Sequence, residues 1–94
     1  PIILKEVGYR SVENCFVDPF LYVTSDRGAA NLEHQAAAYD AVMQSFWEPN
    51  WDWFGGIVIW DASINPKLHG AQDTGFSVLG KTPVQKVLST YFKP

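Results

Sequence analysis

Glu6 is placed where a carboxylate needs a reason to be. It ends the apolar run Pro1-Ile2-Ile3-Leu4, after Lys5, and precedes Val7-Gly8-Tyr9. A charge at the point where a buried strand gives way to a glycine-containing loop is costly unless it is used or paired. Two readings stay open on the residues alone. Glu6 is a nucleophile at the mouth of an active site, or a strand-end charge paired with Lys5 or Arg10. Trp60 poses the same choice at the end of Ile57-Val58-Ile59: an aromatic platform for a ligand, or plain core. Tyr9 either hydrogen-bonds the Glu6 carboxylate or only covers it. Trp47, Trp51 and Trp53 fall at the other end of that strand and read as packing. His69 reads as a solvated loop residue. His34 and Cys15 have no matching ligand set, so no metal and no cofactor is implied.

Four elements must position these groups. Residues 1–6 read as a buried strand, continuous in apolar character and β-branched at Ile2 and Ile3. Residues 32–48 read as a helix, with Leu32, Ala36, Tyr39, Met43 and Phe46 on one face. Asn31 suits its N-cap, Glu33 its first turn, and Pro49 its end. Residues 54–60 read as a second buried strand, whose unbroken apolar stretch suits a parallel strand covered on both faces. Residues 83–92 read as a last helix. Thr82 is the expected N-cap, Pro83 fits the first helical position, and Gln85 completes a capping box. Val84, Val87, Leu88 and Tyr91 are expected to face inward.

The connections are unequal. Gly8 to Ala30 and Asp61 to Lys81 are long, whereas Pro49 to Trp53 is short. Ordinary βα loops run about 2–6 residues, and longer ones are usually functional. Both long loops follow strands and lie at the carboxyl end of the sheet, the catalytic face of barrels and doubly wound sheets. The fold class expected is α/β, built as a β-α-β-α unit. An eight-stranded barrel takes about 250 residues, and two strands alone leave open edges. The 94 residues therefore read as one segment of a barrel, completed by the remainder of the barrel or by self-association.

Composition narrows the partners. A formal net charge of -3 argues against nucleic acid or an anionic membrane surface as the main partner. No stretch reaches the roughly 18 apolar residues of a membrane span, and no signal peptide is visible. Cys15 is the only cysteine, so no intrachain disulfide forms and the compartment stays undefined.

Four blocks fall in one order: Leu4-Lys5-Glu6-Val7-Gly8-Tyr9-Arg10-Ser11, the helix around Glu33–Trp47, Gly55-Gly56-Ile57-Val58-Ile59-Trp60, and Gly75-Phe76-Ser77-Val78-Leu79-Gly80-Lys81-Thr82-Pro83. Together they resemble the C-terminal quarter of a family 113 glycoside hydrolase, a family of retaining (β/α)8 enzymes, mostly endo-β-1,4-mannanases. The resemblance implies that the two strands are the seventh and eighth of a TIM barrel, so that the chain supplies its last two βα units. It implies Glu6 as nucleophile and Trp60 as the floor of the sugar subsite beside the scissile bond. Tyr9, Arg10 and Asn65 would contact the oligo- or polysaccharide. Lys5 and Asp61 depart from the family pattern, which more often has a small or hydroxyl residue and a second aromatic there.

Retaining hydrolysis needs two carboxyls about 5–5.5 Å apart, and the resemblance assigns the acid/base to a strand outside this segment. Glu13, Asp18 and Asp26 lie in the first long loop, Asp61 and Asp73 in the second, and Glu33, Asp40 and Glu48 on the helix, where they read as a solvated face. The chain thus carries half a mechanism, and the isolated 94 residues are expected to be inactive. A non-catalytic carbohydrate-binding or degenerate barrel segment, and a purely structural module, are the competing readings.

Overall fold

The computed structural model describes residues 1–20 and 29–92. Its elements run β1 (Ile2–Val7), α1 (Leu32–Val42), a π-helical segment (Met43–Trp47), β2 (Phe54–Ile59), a 3₁₀ turn (Pro66–Leu68) and α2 (Thr82–Tyr91). β1 and β2 pair in parallel, with Ile2 opposite Phe54, Leu4 opposite Ile57 and Val7 opposite Ile59. The α/β class and the parallel pair thus agree with the sequence. The register is irregular between Leu4 and Val7, the stretch that carries Glu6.

The core lies between the sheet and the helices. Ala36, Tyr39, Met43, Val78, Val84 and Leu88 form it, and Val7, Ile57 and Ile59 pack against it from the strands. Val87 and Tyr91 join the same cluster, so α2 presents the face its periodicity predicts. A second cluster of Val12, Cys15 and Ala38 folds the start of the first long loop onto α1.

Three expectations need correction. Strand β2 is not covered on both faces among the described residues: Val58 is 52% exposed, and Ile3 of β1 is 59% exposed. Both helices pack on one side, and the other side of the sheet is open. The first helix does not stay α-helical to residue 48. It widens after Val42, and Glu48 N–H bonds to the Met43 carbonyl five residues back. The wider turn swings Phe46 and Trp47 over Phe54, with ring centroids at 6.2 and 6.3 Å. The last helix begins at Thr82, and its cap residue is Lys81, without a side-chain capping bond. The Lys81 side chain is turned into the interior instead, as described below. Asn31 does cap α1, its carboxamide oxygen accepting from His34 N–H at 2.9 Å. No helix among the described residues is long and apolar enough to cross a membrane.

Candidate functional site

The ends of β1 and β2 are pressed together. Trp60 N–H donates to the Val7 carbonyl at 2.7 Å. A β-carbon on Gly8 would collide with the Trp60 carbonyl oxygen, so only glycine allows this approach. The Tyr39 hydroxyl lies 3.3 Å from both the Val7 and Trp60 carbonyls. Burial pushes its phenol far above the ordinary range, so it is a fixed neutral donor under the paired strand ends. The peptide between Trp60 and Asp61 is cis.

Above this junction is a cleft of about 490 Å³ lined by Glu6, Gly8, Pro19, Phe20, Trp60 and Phe76. Glu6 is its one acid among the described residues. The Glu6 carboxylate makes no ion pair and no hydrogen bond among the described residues. Pairing with Lys5 or Arg10, the bland reading of this charge, is not what the fold builds. Glu6 also lines an adjoining cleft of about 230 Å³ with Leu4, Val7, Tyr9, Pro19, Val42 and Phe46. Trp60 is 47% exposed, so its indole is a wall of the cleft and not core.

The other sequence candidates fall in different places. Tyr9 is half-buried, its ring edge-on to Tyr39 at 5.6 Å, and burial raises its phenol above the ordinary value. No hydrogen bond joins it to Glu6 among the described residues. Arg10 is 4% exposed. Its Nε donates to the Thr74 carbonyl at 2.8 Å, so it ties the two long loops together. Asn65 is exposed and caps the 3₁₀ turn, accepting from Lys67 N–H at 3.0 Å. Neither Arg10 nor Asn65 lines the Glu6 cleft. His69 is only partly solvated: its Nε2 lies 2.7 Å from the Ser63 carbonyl, with its ring against Gly80. Trp47 packs on the core, while Trp51 and Trp53 are half-exposed at the amino end of β2. Asp26 lies outside the described residues. His34 Nδ1 accepts from Asn14 N–H at 2.9 Å, and no group of three potential metal ligands occurs among the described residues.

Two supports were not visible in the sequence. Lys81 is fully buried. Its Nζ reaches Asp73 Oδ2 at 2.6 Å, Ser11 Oγ at 2.9 Å and the Gly75 carbonyl at 3.1 Å. Burial lowers its pKa, and the bond to Asp73 pulls it partly back. Gln35, also fully buried, donates to the Tyr9 carbonyl at 3.0 Å, with the Phe76 and Ser77 carbonyls at 3.5 and 3.4 Å. Lys81 and Gln35 each bind both long loops, and so hold the rim that carries Tyr9 and Phe76. Lys81 stood in the sequence only as the residue before the expected Thr82 cap; nothing marked Gln35 apart from a polar side chain beside Ala36.

The arrangement offers one unpaired carboxylate beside two exposed aromatic rings, on a backbone fixed from below. It suits attack on, or binding of, a ligand with apolar faces and polar edges. A sequence model of glycoside hydrolase family 113 matches residues 1–81. No curated protein and no solved structure matches the chain.

Proposed function

The chain belongs to glycoside hydrolase family 113, and from that premise we propose that it is the nucleophile-bearing C-terminal segment of a retaining (β/α)8 enzyme. The substrate class is a β-linked polysaccharide, with mannan favoured. β1 and β2 are the seventh and eighth strands. Glu6 attacks the anomeric carbon, and a glycosyl ester forms on its carboxylate as the glycosidic bond breaks. Trp60 lies under the sugar ring being attacked.

The observation that carries this reading is the shared cleft: an unpaired Glu6 and a half-exposed Trp60, both at the carboxyl ends of parallel strands. A structural charge would be expected to find a cation, and among the described residues no cation is paired with Glu6. The acid/base comes from another part of the barrel, since among the described residues Glu6 is the one acid in either cleft that it lines. The remaining strands pair with the free edges of β1 and β2, and the open face with Ile3 and Val58 becomes part of the barrel interior. In this setting Tyr9 covers the nucleophile, while Arg10 and Asn65 act on the substrate indirectly, through the loops they hold.

That single carboxyl also favours a second reading, a barrel segment that binds carbohydrate without cleaving it. A mechanism-based 2-fluoroglycoside separates the two. Incubated with the full protein, it adds one glycosyl unit to the peptide containing Glu6 if Glu6 is the nucleophile, as read by mass spectrometry. A protein that binds manno-oligosaccharides but never acquires the label is the non-catalytic module. The isolated 94 residues should neither turn over mannan nor take up the label, because general acid–base help worth about 10²–10⁴-fold is absent.

A further inference from the structure

The strand ladder alone does not hold the end of β1. β1 advances from Leu4 to Val7 while β2 advances only from Ile57 to Ile59. The extra residue makes a bulge, and Glu6 lies in that stretch. A bulge re-aims side chains but breaks local pairing, so the segment carrying Glu6 needs restraint from elsewhere. We propose that Tyr39 is a positioning residue of the Glu6 cleft: its hydroxyl ties the strand end that carries Glu6 to the strand end that carries Trp60, and so sets where the carboxylate stands relative to the aromatic platform. The inference rests on the carbohydrate reading of that cleft and adds the group that aligns its two halves.

Three observations carry it. First, the Tyr39 hydroxyl lies 3.3 Å from the carbonyl oxygens of both Val7 and Trp60. Carbonyls only accept, so the one phenol hydrogen is shared between the two strands. Val7 follows Glu6 directly in the chain, and a shift of its peptide is passed to Glu6. Second, the junction is tight. Trp60 N–H donates to the Val7 carbonyl at 2.7 Å, and a β-carbon on Gly8 would strike the Trp60 carbonyl oxygen. Two carbonyl dipoles that converge on one point repel, and a donor between them offsets the repulsion. Third, Tyr39 is itself firmly held. It is fully buried in the core with Ala36, Met43 and Val84, and its ring meets Tyr9 edge-on at 5.6 Å. A phenylalanine would fill the same space. A buried hydroxyl is unfavourable unless it is bonded, so what the oxygen adds is its grip on the strand ends. Burial keeps the phenol protonated far above neutral pH, so it stays a donor and takes no part in proton transfer.

The alignment matters more to reaction than to binding. Attack on an anomeric carbon needs the reacting atoms within about 3–3.5 Å and correctly aimed. A sugar ring resting on an aromatic face tolerates a small displacement. Slack at the junction should therefore fall on kcat and spare KM.

The test is Tyr39→Phe in the full protein. On a manno-oligosaccharide kcat should fall about tenfold to a hundredfold, with KM changed less than about threefold. Labelling of the Glu6 peptide by the 2-fluoroglycoside should slow by the same factor as kcat. Hydrogen exchange at the Trp60 amide should quicken at least about tenfold, and more than at Ile57. Placing 4-aminophenylalanine at position 39 restores a donor and should restore kcat. Val84→Ala, buried in the same core but on α2, should lower the urea midpoint and leave kcat unchanged. If Tyr39→Phe does not fold, Gly8→Ala forces the same strand ends apart with the hydroxyl in place, and should give the same kcat-selective loss. Parental kcat in Tyr39→Phe or in Gly8→Ala would overturn the proposal, as would an equal loss of kcat in Val84→Ala. A parent protein that never takes the label overturns the nucleophile reading instead. Tyr39→Phe should then still quicken exchange at the Trp60 amide, and parental exchange there would overturn the alignment.

Discussion

The carboxylate of Asp73 meets Lys81 Nζ at 2.6 Å and the Gly75 N–H at 3.0 Å. Glu6, in the cleft lined by Trp60 and Phe76, meets no cation and no donor among the described residues. Lys81 is buried where it joins the loops, and its charge serves Asp73 and Ser11. Arg10 belongs to the first long loop itself, and its Nε is turned to the Thr74 carbonyl. A chain of this size has few cations to place, seven lysines and arginines in all. Placing a buried one on Asp73 and, among the described residues, none on Glu6 separates a carboxylate that holds structure from one that the proposed reaction can use.

The contrast is broken most directly at Glu6. Glu6→Gln keeps the shape and removes the charge of the proposed nucleophile, so the proposed covalent intermediate should not form. In the full enzyme kcat on a manno-oligosaccharide should fall by more than about 10³-fold. Stability should move by less than about 0.5 kcal/mol, because an exposed side chain without partners among the described residues is being changed. Near-normal kcat would place Glu6 with Asp73 among the structural charges.

Lys81→Met is the converse. It leaves Asp73 and the Ser11 hydroxyl with no cation, in a region where Ser11 is fully buried. Removing one partner of a buried pair costs about 3–5 kcal/mol, and the part-exposed Asp73 side chain, 12% accessible, sets the expectation near the low end. The urea midpoint should drop with the slope unchanged. Activity should be lost only as the loops loosen, and adding Asp73→Asn should restore part of the stability. A midpoint equal to that of the parent would mean that the pair contributes nothing.

Trp60→Ala tests what the free carboxylate acts upon. It removes an aromatic wall of the Glu6 cleft. Ground-state and transition-state contacts should weaken together, raising KM more than it lowers kcat. The loss in kcat/KM should be roughly tenfold to a hundredfold. A pure kcat effect would make Trp60 part of the chemistry and not of the platform.

How much of this was legible varied with range along the chain. The strands and helices came from local periodicity, and the parallel pairing from the unbroken apolar stretch of the second strand in a β-α-β order. Glu6 and Trp60 were legible because each ends an apolar run. The clasp was not: Lys81 and Ser11 are 70 residues apart, and a lysine before Thr-Pro reads as solvent-facing. Gln35 was hidden because a polar residue on a helix normally marks the wet side, whereas here it serves backbone carbonyls of loops that the helix covers. The π-helical widening at Met43 had no signal in composition. The exposed sheet face was misread, since continuous apolar strands look the same whether their second cover is in this segment or elsewhere.

Asp40 and Glu48 extend the comparison to carboxylates held by a neutral donor. The Tyr91 hydroxyl lies 3.0 Å from Asp40 Oδ1 and 3.1 Å from Glu48 Oε1, joining α2 to the helix before it. Loss of solvent around the phenol, then the bonds to and charges of these two acids, push its pKa up to about 12 from the ordinary 10.0. Burial pushes Tyr39 further in the same direction. Between pH 10 and about 12 the unfolded chain has released these protons while the folded chain retains them. The folded state then binds more protons, so stability falls as pH rises through that window. Lys81 works the other way. Burial lowers its pKa below 10.5, so the folded state releases its proton first and stability rises with pH over the interval between the two values. Urea midpoints measured from pH 9 to 11 should therefore decline, less in Tyr91→Phe and more steeply in Lys81→Met. A midpoint that climbs over this range in the parent protein would show that the lysine outweighs the tyrosines, and that the loop clasp, not the helix-joining phenol, governs the alkaline limit.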